Sequence, residues 1–215
     1  MMAMQLEPQL LLSFLPRFQE HLAQLHQNDL PTDQDKTAEH LAFLIDFLEA
    51  EHAPILQEIR TFTSHGEITF DLLWSIFLPQ SVIFTLCETS SEPRAVRLQR
   101  ISLGQPFTAN HPYWKLDCEY VEGNDDFAGR SWGLAAITLQ IPHFEGVEKI
   151  AKLKAYPMEW HLNKDEVQAK ILERGRRWFR LSGVHHVHYN GMAYRNSRTV
   201  KVNVILSITR YKQIN

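Results

Sequence analysis

Between Val82 and Ile141, apolar and β-branched runs alternate with short polar turns, and this rhythm restricts the fold more than any other feature of the chain. Val82 to Cys87 and Ala95 to Ile101 read as neighbouring strands joined through "ETSSEPR". Tyr113 to Val121 is rich in aromatic and β-branched residues and runs into the turn signal "EGNDD"; Trp132 to Ile141 reads as a further strand. Strands that follow one another this closely return side by side, which predicts an antiparallel meander. Neither an internal repeat nor the helix–strand alternation of a parallel sheet is present.

Helical spacing frames the meander. Leu11, Phe14, Leu15, Phe18, Leu22 and Leu25 suit a short amphipathic helix broken or started at Pro16, and the polar stretch from Gln27 to Lys36, with Pro31, reads as a linker. Leu41, Leu44, Ile45, Leu48, Ile55, Leu56 and Ile59 form a second helical pattern that restarts at Pro54; Phe43 and Phe47 widen its stripe and predict deep burial. In "SHGEITFDLLWSIFLP", Gly66 marks a turn, Thr69 or Asp71 caps a short helix, and Pro79 ends it. A bend from Pro142 to Gly146 precedes a predicted strand from Ile150 to Tyr156. "NKDEVQAKILERGRRWFRLSG" is helical, capped by Asn163 or Asp165, with acidic residues early and arginines late to match the helix dipole. Val167, Ile171, Leu172, Trp178 and Phe179 are its expected inward residues, Gly175 interrupts it at about 1 kcal/mol relative to alanine, and Gly183 stops it.

The chain finishes as a predicted hairpin. Asn190-Gly191 favours a two-residue turn because both central positions require positive φ. Val200, Val202, Val204, Leu206 and Ile208 then fall on one face of a long, half-buried strand. The fold class is α+β, with mainly antiparallel strands, N-terminal helices and one helix before a C-terminal hairpin. Residues 1–35 read as a helical extension and linker and residues 36–215 as a single α+β domain; 215 residues, 44% of them hydrophobic, suffice for one substantial core.

Charge and cysteine use narrow the function classes. A net charge of -3 gives no electrostatic footprint for nucleic acid, which is not an expected partner. The basic cluster Arg174, Arg176, Arg177 has a phosphate-binding reading, but arginines reaching solvent from a packed helix are the simpler one. Cys87 and Cys118 lie in separate apolar contexts, unlike a disulfide framework, and read as reduced thiols. The run Leu10 to Leu15 has no basic residue before it and makes a poor signal peptide, and no stretch approaches the roughly 18 apolar residues of a transmembrane segment. An intracellular, cytoplasmic location is the expectation.

Several residues invite chemistry. His186 and His188 share a strand face that could bind a metal, with His185 opposite; zinc would need further ligands, for which His143, His161, Asp117 and Glu119 are candidates. Ordinary strand histidines are the plainer reading. Glu122, Asp125 and Asp126 fail the spacing of a calcium loop. Asp117 and Glu119 share a strand face, yet acid–base work also needs a cleft and separated pKa values. Cys118, opposite that pair, reads as core rather than nucleophile, and Ser131 and Ser182 lack a nucleophile elbow. With neither GxxxxGK[ST] nor GxGxxG, no cofactor is expected. Trp160, Arg176, Arg177 and Tyr194 are the candidate partner-binding residues, since aromatic and arginine side chains dominate interface energies.

Five phrases then occur in order: "HLAFLIDFL", "GEITFDLLWSIFLP", "IPHFEGVEKIAKLKAYPMEWH", "ERGRRWFRLSG" and "HYNGMAY". Together, from about His40 to Asn203, the chain resembles the uncharacterised domain that lies ahead of the AAA-type ATPase module in many large fungal proteins. The resemblance implies an accessory or regulatory domain with a protein partner, such as an AAA-type ATPase, and carries over no catalytic residue. The ATPase module itself is absent from this sequence, which has no Walker loop, and "ILSITRYKQIN" departs from the pattern expected to lead into one. The expected function is that of a non-enzymatic accessory or protein-interaction domain. The alternative is a small-ligand or metal-dependent enzyme of fungal metabolism, with His186, His188 and an acidic residue lining its pocket.

Overall fold

A computed structural model describes residues 8–27, 32–88, 90–105, 111–124, 131–180, 185–195 and 198–208. Three helices come first: α1 (Pro8–Gln27), α2 (Thr32–Glu51) and α3 (Ala53–Ser64). A turn at Gly66, whose φ of 65° suits glycine, leads into β1 (Glu67–Thr69) and a 3₁₀ turn over Phe70–Ser75. The meander follows as β2 (Val82–Leu86), β3 (Pro93–Gly104), β4 (Tyr113–Asn124) and β5 (Ser131–Pro142). After it come β6 (Val147–Lys149), β7 (Ala155–Pro157), α4 (Lys164–Arg180), β8 (His185–Arg195) and β9 (Arg198–Ile208). The class is α+β, as the patterning predicts.

The main sheet has five antiparallel strands in the order β5-β4-β3-β2-β7, and β1 with β6 and β8 with β9 form separate two-stranded pairs. Alternation along β4 sends Trp114, Leu116 and Cys118 into the core. They join Leu98, Ile141, Leu73, Phe77 and Ile150, and also Leu12, Leu15, Ile45 and Leu48 from the first two helices. The Trp114 indole N–H donates to the Phe70 carbonyl at 2.8 Å, which fastens the 3₁₀ turn to the sheet. No helix among the described residues is long and apolar enough to cross a membrane.

Several local expectations yield to packing. Pro16 lies inside α1 instead of breaking it, because Leu12, Leu15 and Phe18 continue one packed stripe across it and offset a penalty of about 3 kcal/mol. Helix α2 begins at Thr32, within the stretch read as a linker, whereas residues 28–31 lie outside the described residues. Pro54 does restart the helix, in the first turn of α3. Thr69 precedes the 3₁₀ turn but makes no side-chain cap bond; burial of Phe70, Leu72, Leu73 and Trp74 holds that turn. Ile150 to Tyr156 is not one strand. Ile150 and Leu153, three residues apart, are both buried, a spacing that fits the 3₁₀ turn Ile150–Lys152 better than a period of two.

Asn190-Gly191 does not turn the hairpin. Strand β8 runs through both residues and pairs with β9 from His185↔Ile208 to Arg195↔Arg198, so the reversal falls after Arg195. A turn at Asn190 would leave short arms, whereas two 11-residue strands pair along their whole length, and the added ladder outweighs the local turn preference. Gly183, the expected stop of α4, lies outside the described residues.

Candidate functional site

The outer face of the main sheet carries the two carboxylates that strand alternation pairs. Opposite them on β3, a bulge between Leu98 and Arg100 reverses the side-chain parity, so Arg97 and Arg100, an odd number of residues apart, point to the same face. Gln80, at a φ of 68°, clasps the bulge by donating its side-chain amide to Gln99 Oε1 at 3.0 Å. Arg97 then pairs with Glu119. Asp117 meets Arg100 and Lys115, each at 2.9 Å, and accepts from the Thr138 hydroxyl at 3.2 Å.

This surroundings sets the chemistry. The Lys115 ammonium and then the Arg100 guanidinium hold the Asp117 carboxyl below its usual range, overcoming partial desolvation. A general acid needs the opposite shift. Both carboxylates are instead committed to a cross-strand ion-pair ladder. On the other face, burial and the charge of Asp117 push the Cys118 thiol up to about 12, so it is not a nucleophilic thiolate at neutral pH.

The histidines separate. His143 packs on Phe70 with ring centroids 4.7 Å apart and stacks on His111 at 5.0 Å, a pairing across two loops that no spacing in the sequence signals. His161 Nδ1 accepts the Asn163 backbone N–H at 3.0 Å, which places the ring proton of the neutral form on Nε2, and the ring packs on Phe84 at 4.6 Å. Among the described residues, no group of three or more His, Cys, Asp or Glu side chains is arranged to hold a metal ion. His186 and His188 occupy register positions opposite Ser207 and Ile205, and their side chains lie outside the described residues. Glu122 is exposed, and Asp125 and Asp126 are also outside the described residues.

The basic cluster on α4 divides by helical phase. Arg174 turns inward and donates to the Pro93 carbonyl at 2.7 Å, which with the Lys170–Glu92 ion pair at 3.0 Å docks α4 on β3 and the turn before it. Arg177 is exposed and pairs with Glu173 one turn earlier. Arg176 is exposed and one turn from Leu172. Trp160 is half-buried and packs on the core, and the side chain of Tyr194 lies outside the described residues.

Four side chains read as inward face outward. Leu172 and Phe179 are 57% and 61% exposed, because they fall beside the line of Val167, Ile171 and Trp178 rather than on it. Phe43 and Phe47 are 74% and 53% exposed and lie one turn apart on α2. At 100° per residue they sit roughly 110–150° from the centre of the Leu41, Leu44, Ile45 and Leu48 stripe, an offset that a helical projection of the sequence contains. Glu39, Asp46 and Glu51 are exposed around them together with His40, so an aromatic pair stands within a mainly acidic border.

Residues 58–162 match the model of a domain of unknown function, DUF7025. The match takes in the end of α3 and every strand from β1 to β7, and leaves α1, α2, all of α4 and the hairpin outside it. No curated protein and no solved structure matches the chain.

Proposed function

We propose that this chain is a non-enzymatic accessory domain that works by binding another protein, with an AAA-type ATPase module as the partner that the sequence resemblance implies. The observation that carries this reading is the exposed Phe43–Phe47 pair on α2. Covering a phenylalanine side chain in an interface contributes about 1.5–3 kcal/mol, and two such rings one turn apart are the spacing at which a helix presents anchors to a partner. The acidic border of Glu39, Asp46 and Glu51 selects a partner surface whose apolar centre is rimmed by basic side chains. Arg176, with Leu172 beside it on α4, supplies a second and oppositely charged contact surface. Titrating a purified ATPase module of this kind into the chain tests the reading: binding that weakens on Phe43→Ser with Phe47→Ser supports it, and binding indifferent to both substitutions contradicts it.

A further inference from the structure

Strand β5 forms one edge of the main sheet and, at 12 residues, matches β3 and β4 in length. An exposed strand edge presents unpaired backbone N–H and C=O groups, and sheets ordinarily blunt such edges with short strands, proline, bulges or charged residues. The opposite edge does so, since β7 has three residues and ends in Pro157. Among the described residues, strand β5 carries none of these devices in its own sequence, although part of it lies near β7. Its sequence, SWGLAAITLQIP, contains no charged residue and no proline before its last position, and its register with β4 is unbroken from Asn124↔Ser131 to Tyr113↔Pro142. Leu134 on this edge is 61% exposed and stands in register with Val121, 58% exposed, while Ile137 and Leu139 are only partly buried on the inner face.

We infer that β5 pairs with β5 of a second copy of this chain, antiparallel about a two-fold axis, joining the two main sheets edge to edge. The choice of a second copy rests on charge and symmetry. A two-fold antiparallel pairing that keeps both core faces on the same side makes one residue oppose its own copy, because only residues of equal parity share a face. A charge there would meet its like, as Lys115, Asp117, Glu119 or Glu122 would on β4. On β5 every register of this kind sets uncharged residues against uncharged residues. The same pairing extends the cover over Ile137 and Leu139 from the neighbouring copy. It uses neither α2 nor α4, so it stands or falls separately from the partner-binding reading.

The test is a spin-label scan on the full chain, with Leu134→Cys, Ala136→Cys, Thr138→Cys and Gln140→Cys made singly on the exposed face; Cys87 and Cys118 are buried and leave the introduced thiol the accessible one. Moving the label by two residues shifts it against its own copy by four, so the label–label distance along the strand changes by about 14 Å per step at roughly 3.4 Å per residue. The expected result is a dimer whose distances trace a V along the strand, with one minimum, and which dissociates to monomer on Leu134→Lys with Ala136→Lys. Three outcomes overturn the inference: a monomer at every attainable concentration, a dimer whose distances do not follow the V, or β5 amides protected from hydrogen exchange in a monomer, which would mean that another segment covers the edge.

Discussion

Arg100 reaches Asp117 across the β3–β4 pair at 2.9 Å because the bulge at Gln99 sets its side chain on the same face as Arg97. One extra residue on β3 thus converts a pair of carboxylates with the look of an acid–base site into a ladder of ion pairs. The ladder is a stability element, and it predicts a pH dependence with a definite sign.

The Asp117 carboxyl titrates below its ordinary value of 3.8 in the folded chain, so the unfolded chain takes up the proton first. Its contribution is complete above that ordinary value and is lost as pH falls through the lower, folded value. Asp117→Asn should therefore lower stability at neutral pH by about 1 kcal/mol, the upper end for a partly exposed pair, and the difference should vanish in strong acid. Urea unfolding of both proteins across the acid range measures it; a difference that persists undiminished at the acid end contradicts the assignment.

Trp114→Phe keeps an aromatic ring in the core and removes the donor to the Phe70 carbonyl. Leaving that carbonyl without its partner should cost about 1–3 kcal/mol, in addition to the loss from the smaller ring. A chemical denaturation midpoint unchanged from wild type would show that the 3₁₀ turn does not depend on this bond.

Burial separates two sets of residues on α2. Leu48 is buried and Leu48→Ala should cost about 2–5 kcal/mol, whereas Phe43→Ser with Phe47→Ser should change stability by only about 0.5 kcal/mol. Thermal unfolding of the two variants orders them, and a large loss from the phenylalanine changes would return those rings to the core.

Cys118 should stay unreactive toward a thiol reagent in the native chain at neutral pH and react once the chain unfolds, since burial and Asp117 keep it protonated. Comparing the labelling of wild type and Cys118→Ala, with and without denaturant, isolates its signal from that of Cys87. Rapid native labelling at Cys118 would contradict the burial.

Much of this fold was legible wherever one periodicity acted alone. The meander followed from alternation between turns, Pro54 from its place at a helix start, and the shared face of Asp117 and Glu119 from strand parity. The misreadings arose where a second force competed. At Asn190-Gly191 a local turn preference lost to pairing of two long strands; at Pro16 a local penalty lost to the stripe of Leu12 and Leu15; at Phe43 and Phe47 angular position on the helix outweighs hydrophobicity. Lys115 shares the Asp117 face by the same parity, but Arg100 could not be read as its partner, because a bulge leaves no dependable mark in sequence and reverses the parity on which such a reading depends.

The most direct test of the partner-binding account is the affinity of a purified AAA-type ATPase module for the wild-type chain and for the Phe43→Ser, Phe47→Ser variant, measured by calorimetry alongside a check that both are folded. The account predicts binding by the wild type that weakens at least about tenfold in the variant, equivalent to about 1.4 kcal/mol. Equal affinity for the two proteins, or no binding by either, would contradict it.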